Sequence, residues 1–115
     1  MKKELVFEEL TLDQKLGMVL CTNVQPGFSE NELERVLTMI REHRLGAVWV
    51  TTNNRNRDEI LRRVREVADY PIIIVNDMEK GYPRSPLPKV SPLTLAACAT
   101  DEHYKAFAKG IVKYA

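Results

Sequence analysis

The apolar run Ile72-Ile73-Ile74-Val75, set behind Pro71 and broken off by Asn76-Asp77-Met78-Glu79, limits the fold more than any other stretch. Four β-branched residues without polar alternation suit a parallel strand buried on both faces. Gly81 and Pro83 then turn the chain. A strand that ends in carboxylates delivers them to the C-terminal rim of its sheet, where open α/β sheets and α/β barrels hold their ligands. Asp77 is therefore the first candidate functional residue.

The upstream sequence repeats this theme. Thr11-Leu12-Asp13-Gln14 has the form of a capping box and predicts a short helix, which Gly17 should loosen. Met18 to Thr22 reads as a first strand, closed by a turn over Asn23 to Gly27. Ser29-Glu30-Asn31-Glu32 is a second capping box, and Leu33, Val36, Leu37 and Ile40 fall on one face of the helix behind it. His43 and Arg44 suit the negative end of that helix, and Gly46 should stop it. Ala47 to Thr52 is a second strand, ending in Asn53-Asn54. Asn56 to Glu59 repeats the capping pattern ahead of a stripe of Ile60, Leu61, Val64, Val67 and Ala68. After the strand Ile72 to Val75 comes a long loop with Pro83, Pro86, Pro88 and Pro92. Thr100 or Asp101 then caps a last helix, with Tyr104, Phe107, Ala108, Ile111 and Val112 on one face. Strands alternating with amphipathic helices predict a parallel sheet with right-handed crossovers. Three βα units leave two bare edges, so the pattern predicts a sheet cut short and open to self-association.

Charge and motif content exclude several classes. With 17 basic and 16 acidic residues, the net charge of +1 gives no bulk attraction to nucleic acid or to an anionic membrane. Arg55, Arg57, Arg62, Arg63 and Arg65 cluster, but Asp58–Arg62, Glu59–Arg63 and Arg62–Glu66 are helical neighbours, which predicts a solvated face. His43 and His103 have no metal-ligand partners at workable spacing, and no phosphate-binding glycine loop or Cys–His nucleophile pattern occurs. No metal or cofactor is expected. Cys21 and Cys98 sit in apolar or small-residue stretches and are expected as buried free thiols of a reducing compartment. MKKELVFEEL has charge but no apolar core, so no signal peptide is expected. No apolar run nears the ~20 residues that cross a bilayer. These features predict a soluble, cytoplasmic protein.

The order and spacing of several segments resemble the N-terminal barrel domain of glycoside hydrolase family 3, which includes β-glucosidases and β-N-acetylhexosaminidases. Leu12 to Gly17 is similar to the family's opening helix. Leu45-Gly46-Ala47-Val48-Trp49-Val50 with Asn53-Asn54 is similar to its second strand. Pro71 to Gly81 resembles its third strand and acidic loop, and Leu87-Pro88 with Leu95-Ala96-Ala97 resembles the segment that follows. The resemblance runs from Thr11 to Ala115. It implies part of a TIM (β/α)8 barrel, residues 1–115, with three parallel strands in order 1-2-3 and helices on one face. A flavodoxin-like domain would instead order its strands 2-1-3 with helices on both faces. A third alternative is a non-catalytic binding or assembly module that completes its sheet by dimerisation.

The resemblance implies a retaining β-glycosidase acting on terminal β-linked glucosides or N-acetylhexosaminides, with a carbohydrate as its partner. It assigns Asp77 to the hydroxyls of the sugar in the cleavage subsite. Arg84 is a candidate sugar or acetamido contact, displaced from Tyr82, where the hexosaminidase branch often carries arginine; Lys80 stands where that branch often has glycine. Glu79 and Asn53 are expected in supporting roles. Asp77 and Glu79 would lie roughly 7 Å apart on one side of an extended chain, a spacing that invites an acid–nucleophile pair. The resemblance opposes this, since it places the nucleophile on a later barrel strand. No catalytic residue is therefore expected among these 115. Trp49 is expected in barrel packing.

Overall fold

The computed structural model describes residues 4–78, 81, 86, 89–98 and 100–114. A 3-10 turn at Phe7–Glu9 precedes α1 (Leu12–Met18), β1 (Cys21–Val24), α2 (Glu30–Arg41), β2 (Ala47–Val50), α3 (Arg57–Val67), β3 (Ile73–Val75), α4 (Pro92–Cys98) and α5 (Asp101–Tyr114). The chain divides into two compact units, Met1–Val75 and Asn76–Ala115.

The first unit holds a three-stranded parallel sheet in the order β1-β2-β3. That order excludes the flavodoxin-like alternative. The register aligns Cys21 with Ala47 and Ile73, Thr22 with Val48 and Ile74, and Asn23 with Trp49 and Val75. Because strand residues alternate between faces, Val24, Val48, Val50 and Ile74 share one side. These meet Leu33, Val36, Leu37 and Ile40 of α2 and Ile60, Leu61 and Val64 of α3 in a single apolar cluster. Both long helices therefore lie on one face of the sheet. None of the alternate residues Cys21, Ala47, Trp49, Ile73 and Val75 belongs to that cluster.

Both upstream capping boxes form. Gln14 N–H donates to Thr11 Oγ1 and Thr11 N–H to Gln14 Oε1, and Ser29 and Glu32 repeat the exchange. The Ser29 hydroxyl and backbone N–H hold the Glu32 carboxyl below its usual range. The first strand differs from expectation, because α1 runs through Gly17 to Met18 and pushes β1 on to Cys21–Val24. Gly17 does not loosen the helix. A Cβ there would lie 2.3 Å from the backbone carbonyl carbon of Arg44.

Gly46 likewise does not end α2. His43 takes the left-handed conformation (φ 57) after the helix, and the N–H groups of His43 and Arg44 donate to the carbonyls of Ile40 and Met39. This is a Schellman closure with histidine at the position usually held by glycine. The ring of His43 stands edge-on to Tyr70, and its Nε2 lies 2.8 Å from Asp69 Oδ1. Gly46 serves another purpose: a Cβ there would sit 1.9 Å from the Met18 carbonyl oxygen. Two glycines thus let α1 close against the start of β2, and Gly46 N–H donates to Gly17 O at 3.1 Å. Tyr70 is fully buried and donates to Leu45 O, while burial, with the nearby Asp69 charge, pushes its pKa up to about 12.

The arginine cluster is not one solvated face. Arg62 pairs with Glu59 and Glu66 along α3, but Arg63 reaches across to Glu30 and Glu34 of α2, and Arg57 is buried. Their hydrogen bonds from Arg63 and Arg62 hold the Glu30 and Glu59 carboxyls below the ordinary range. Cys21 departs from expectation too, since its free thiol is exposed; the side chain of Cys98 lies outside the described residues.

In the second unit the expected loop contains α4. Ser91 starts it by accepting from Thr94 N–H at 3.0 Å, and Pro92 occupies the first helical position, where its missing N–H costs nothing. Thr100 opens α5, exchanging hydrogen bonds with His103 as other caps do with glutamate. Tyr104 donates to Leu95 O and so ties α5 to α4. Phe107 and Ile111 are half-buried, whereas Val112 is exposed. Among the described residues no helix is long and apolar enough to cross a membrane.

Candidate functional site

The C-terminal ends of β1 and β2 carry the best-defined polar structure. Asn54, buried between two turns, donates through Nδ2 to Gln25 O at 3.2 Å and accepts at Oδ1 from Asn56 N–H at 3.0 Å. One side chain thus stitches the β1–α2 connection to the β2–α3 connection. Gly27, at φ 89, turns the first of these loops. Asn56, expected as the cap of α3, makes no side-chain capping bond. Asn54 supplies the local order instead. The sequence signal was present as two adjacent asparagines, but no local rule says which one turns inward.

On the face away from α2 and α3, Trp49 is half-buried, with Asn23 beside it in register and Thr51 two residues beyond. Asn23 Oδ1 and Thr51 Oγ1 are buried and have no hydrogen-bond partner among the described residues. Each such atom costs about 1–3 kcal/mol relative to a satisfied one. Sequence reasoning placed Asn23 in a turn and assigned Thr51 no role.

The structure describes two of the residues singled out from sequence. Asn53 is exposed in the turn after β2 and belongs to the first unit. Asp77 is exposed, two residues past the end of β3, and belongs to the second unit. Glu79 and Arg84 lie outside the described residues. No family model, curated protein or solved structure matches this chain. The glycoside hydrolase resemblance therefore rests on the order of the sequence motifs alone. Among the described residues no group of three or more His, Cys, Asp or Glu side chains could hold a metal ion.

Two cavities are lined by residues of the first unit. One of about 180 Å³ lies between the 3-10 turn, α1 and the end of α2, lined by Leu5, Glu9, Gln14 and His43 among others. A larger, open groove of about 510 Å³ follows the outer side of α2, lined by Glu34, Arg35 and Thr38 among others. Neither is lined by any residue that the sequence nominated for sugar binding.

Proposed function

We propose that this chain is part of a retaining β-glycosidase barrel of the glycoside hydrolase family 3 type, and that it grips a terminal β-linked glucose or N-acetylhexosamine through Asp77. The observation that carries this reading is the sheet itself. Three consecutive parallel strands in the order 1-2-3, with both long crossover helices on one face, are the arrangement of successive βα units in a barrel. The exposed carboxylate two residues beyond β3 supports it, because barrel ligands bind at the C-terminal ends of strands.

The chemistry proposed for Asp77 is recognition. An ionised carboxylate accepts two sugar hydroxyls at once, each charge-assisted bond contributing about 1.5–3 kcal/mol. Bonds of this kind that tighten as positive charge grows at the anomeric carbon also assist cleavage once a nucleophile is supplied. The resemblance assigns that nucleophile to a later strand, so these 115 residues bind sugar and do not hydrolyse it.

Calorimetric titration with glucose and with N-acetylglucosamine tests the proposal. The expected result is saturable binding of one of them, weakened at least about 100-fold by Asp77→Ala, the loss of two charge-assisted hydrogen bonds. Equal binding by both proteins, or none by either, contradicts it. Turnover of a nitrophenyl β-glycoside by the purified chain would contradict the purely recognising role.

A further inference from the structure

We propose that Phe107 of α5 is a positioning residue for Asp77, holding the chain beyond β3 so that the carboxylate is fixed before a sugar arrives. Both residues belong to the second unit, and Gly81 of that unit links them. Gly81 takes φ 93, a backbone conformation that favours glycine, and its N–H donates to Met78 O at 2.9 Å. That bond draws the chain back onto the residue that follows Asp77. A Cβ built on Gly81 would stand 3.5 Å from Phe107 Cε2 and 3.8 Å from Cζ, so the far edge of the ring lies against this backbone.

The carboxylate needs such support. Asp77 is exposed and lies beyond β3, outside any helix or strand. A side chain on a loose segment must be ordered when it binds, and that ordering subtracts from the affinity. Phe107 can supply the order beforehand, since its ring is large, stiff and half-buried. It is carried by a 14-residue helix, and rigid elements hold a site more precisely than loops do.

The inference rests on the reading of Asp77 as a sugar contact and names the residue that keeps it in place. Asp77 touches the sugar, whereas Phe107 acts through Gly81 and Met78. Replacing the two should therefore differ in size. Loss of the ring leaves both carboxylate bonds available and restores only the ordering cost. Phe107→Ala should thus weaken sugar binding about 2- to 10-fold, far less than Asp77→Ala.

NMR relaxation and sugar titration of the labelled chain test this, with circular dichroism as the check on folding. In the sugar-free protein the amides of Asp77, Met78 and Gly81 should show order parameters near the rigid value of about 0.85, falling toward about 0.6 or below in Phe107→Ala. The Gly81 α-protons should carry a ring-current shift that vanishes in the same variant. Phe107→Met, whose long side chain again reaches Gly81, should restore most of the order and of the affinity. Gly81→Ala strains the same contact from its other side, because alanine resists φ 93. It should loosen Asp77 and Met78 as well, and it decides the matter if Phe107→Ala does not fold. Unchanged order parameters in these variants, or a sugar affinity equal to that of the parent, overturn the inference and leave Asp77 as a sugar contact. A parent chain that binds neither glucose nor N-acetylglucosamine removes the sugar reading, and the order parameters then decide the role of Phe107 by themselves.

Discussion

Val48 and Val50 are wholly buried, while Ile73, one strand away on the opposite face, keeps most of its surface. The same three strands supply both sides. On one side alternate residues meet the stripes of α2 and α3 and complete the core. On the other, apolar side chains share the surface with a tryptophan, a free thiol and two buried polar atoms that find no partner among the described residues. The difference teaches that strand composition alone does not fix burial. Ile72 to Val75 is as apolar as any stretch of the chain, yet β3 is exposed or half-buried throughout.

The largest predicted effect lies at the join that supports the covered side. Gly46→Ala forces a methyl group into the Met18 carbonyl, and only a backbone shift relieves the overlap. It should lower the unfolding free energy by about 4 kcal/mol or more, at the severe end for single substitutions, or abolish folding, as urea unfolding will reveal.

Next comes a matched pair across the two faces. Leu37→Ala removes a fully buried side chain from α2 and should cost about 2–5 kcal/mol. Ile73→Ala, from a half-covered strand, should change stability by about 0.5 kcal/mol or less. Equal costs in urea unfolding would break the distinction between the faces.

A smaller effect should have the opposite sign. Thr51→Val keeps the shape and removes a buried hydroxyl that finds no partner among the described residues, so the variant should be more stable by about 1 kcal/mol. Destabilisation would mean that the hydroxyl is satisfied in solution.

An effect of similar size concerns the Ser29 cap, where Ser29→Ala should cost about 1 kcal/mol near neutral pH. The Glu32 carboxyl is held below its usual value of 4.5 in the folded state by Ser29. Its contribution is therefore fully present above pH 4.5 and lost as pH falls through the lower folded value. The stability gap between parent and variant should narrow on acidification, measured by urea unfolding at stepped pH.

Features set by neighbours in sequence were legible in advance. Thr11 with Gln14 and Ser29 with Glu32 lie three residues apart, so their capping bonds follow from local geometry. The alternation of strands and helices, and Leu33, Val36, Leu37 and Ile40 as a buried stripe, follow from periodicity. Features set by distant backbone were not. Gly17 and Gly46 read as a flexible point and a helix stop, whereas each is required by the close approach of a turn or a helix end some thirty residues away. Asn54 looked like a strand-end residue and proved to bridge two loops. Four prolines made the stretch after Asp77 read as loop, which concealed α4, although Ser91-Pro92 is itself a helix-start signal. Of the nominated site, Asp77 and Asn53 are placed at exposed positions after their strands, and Glu79 and Arg84 fall outside the described residues.

The central claim is that this sheet presents a sugar-binding acid beyond the end of its third strand. Amide NMR spectra of the labelled chain, recorded during titration with N-acetylglucosamine and then glucose, test it most directly. One of the two sugars should produce saturable shifts centred on the amides of Asn76, Asp77 and Met78, with little change at Cys21, Ala47 and Ile73, where the strands begin. Shifts centred on those strand starts or on the outer side of α2, or no saturable shift with either sugar, would contradict the account.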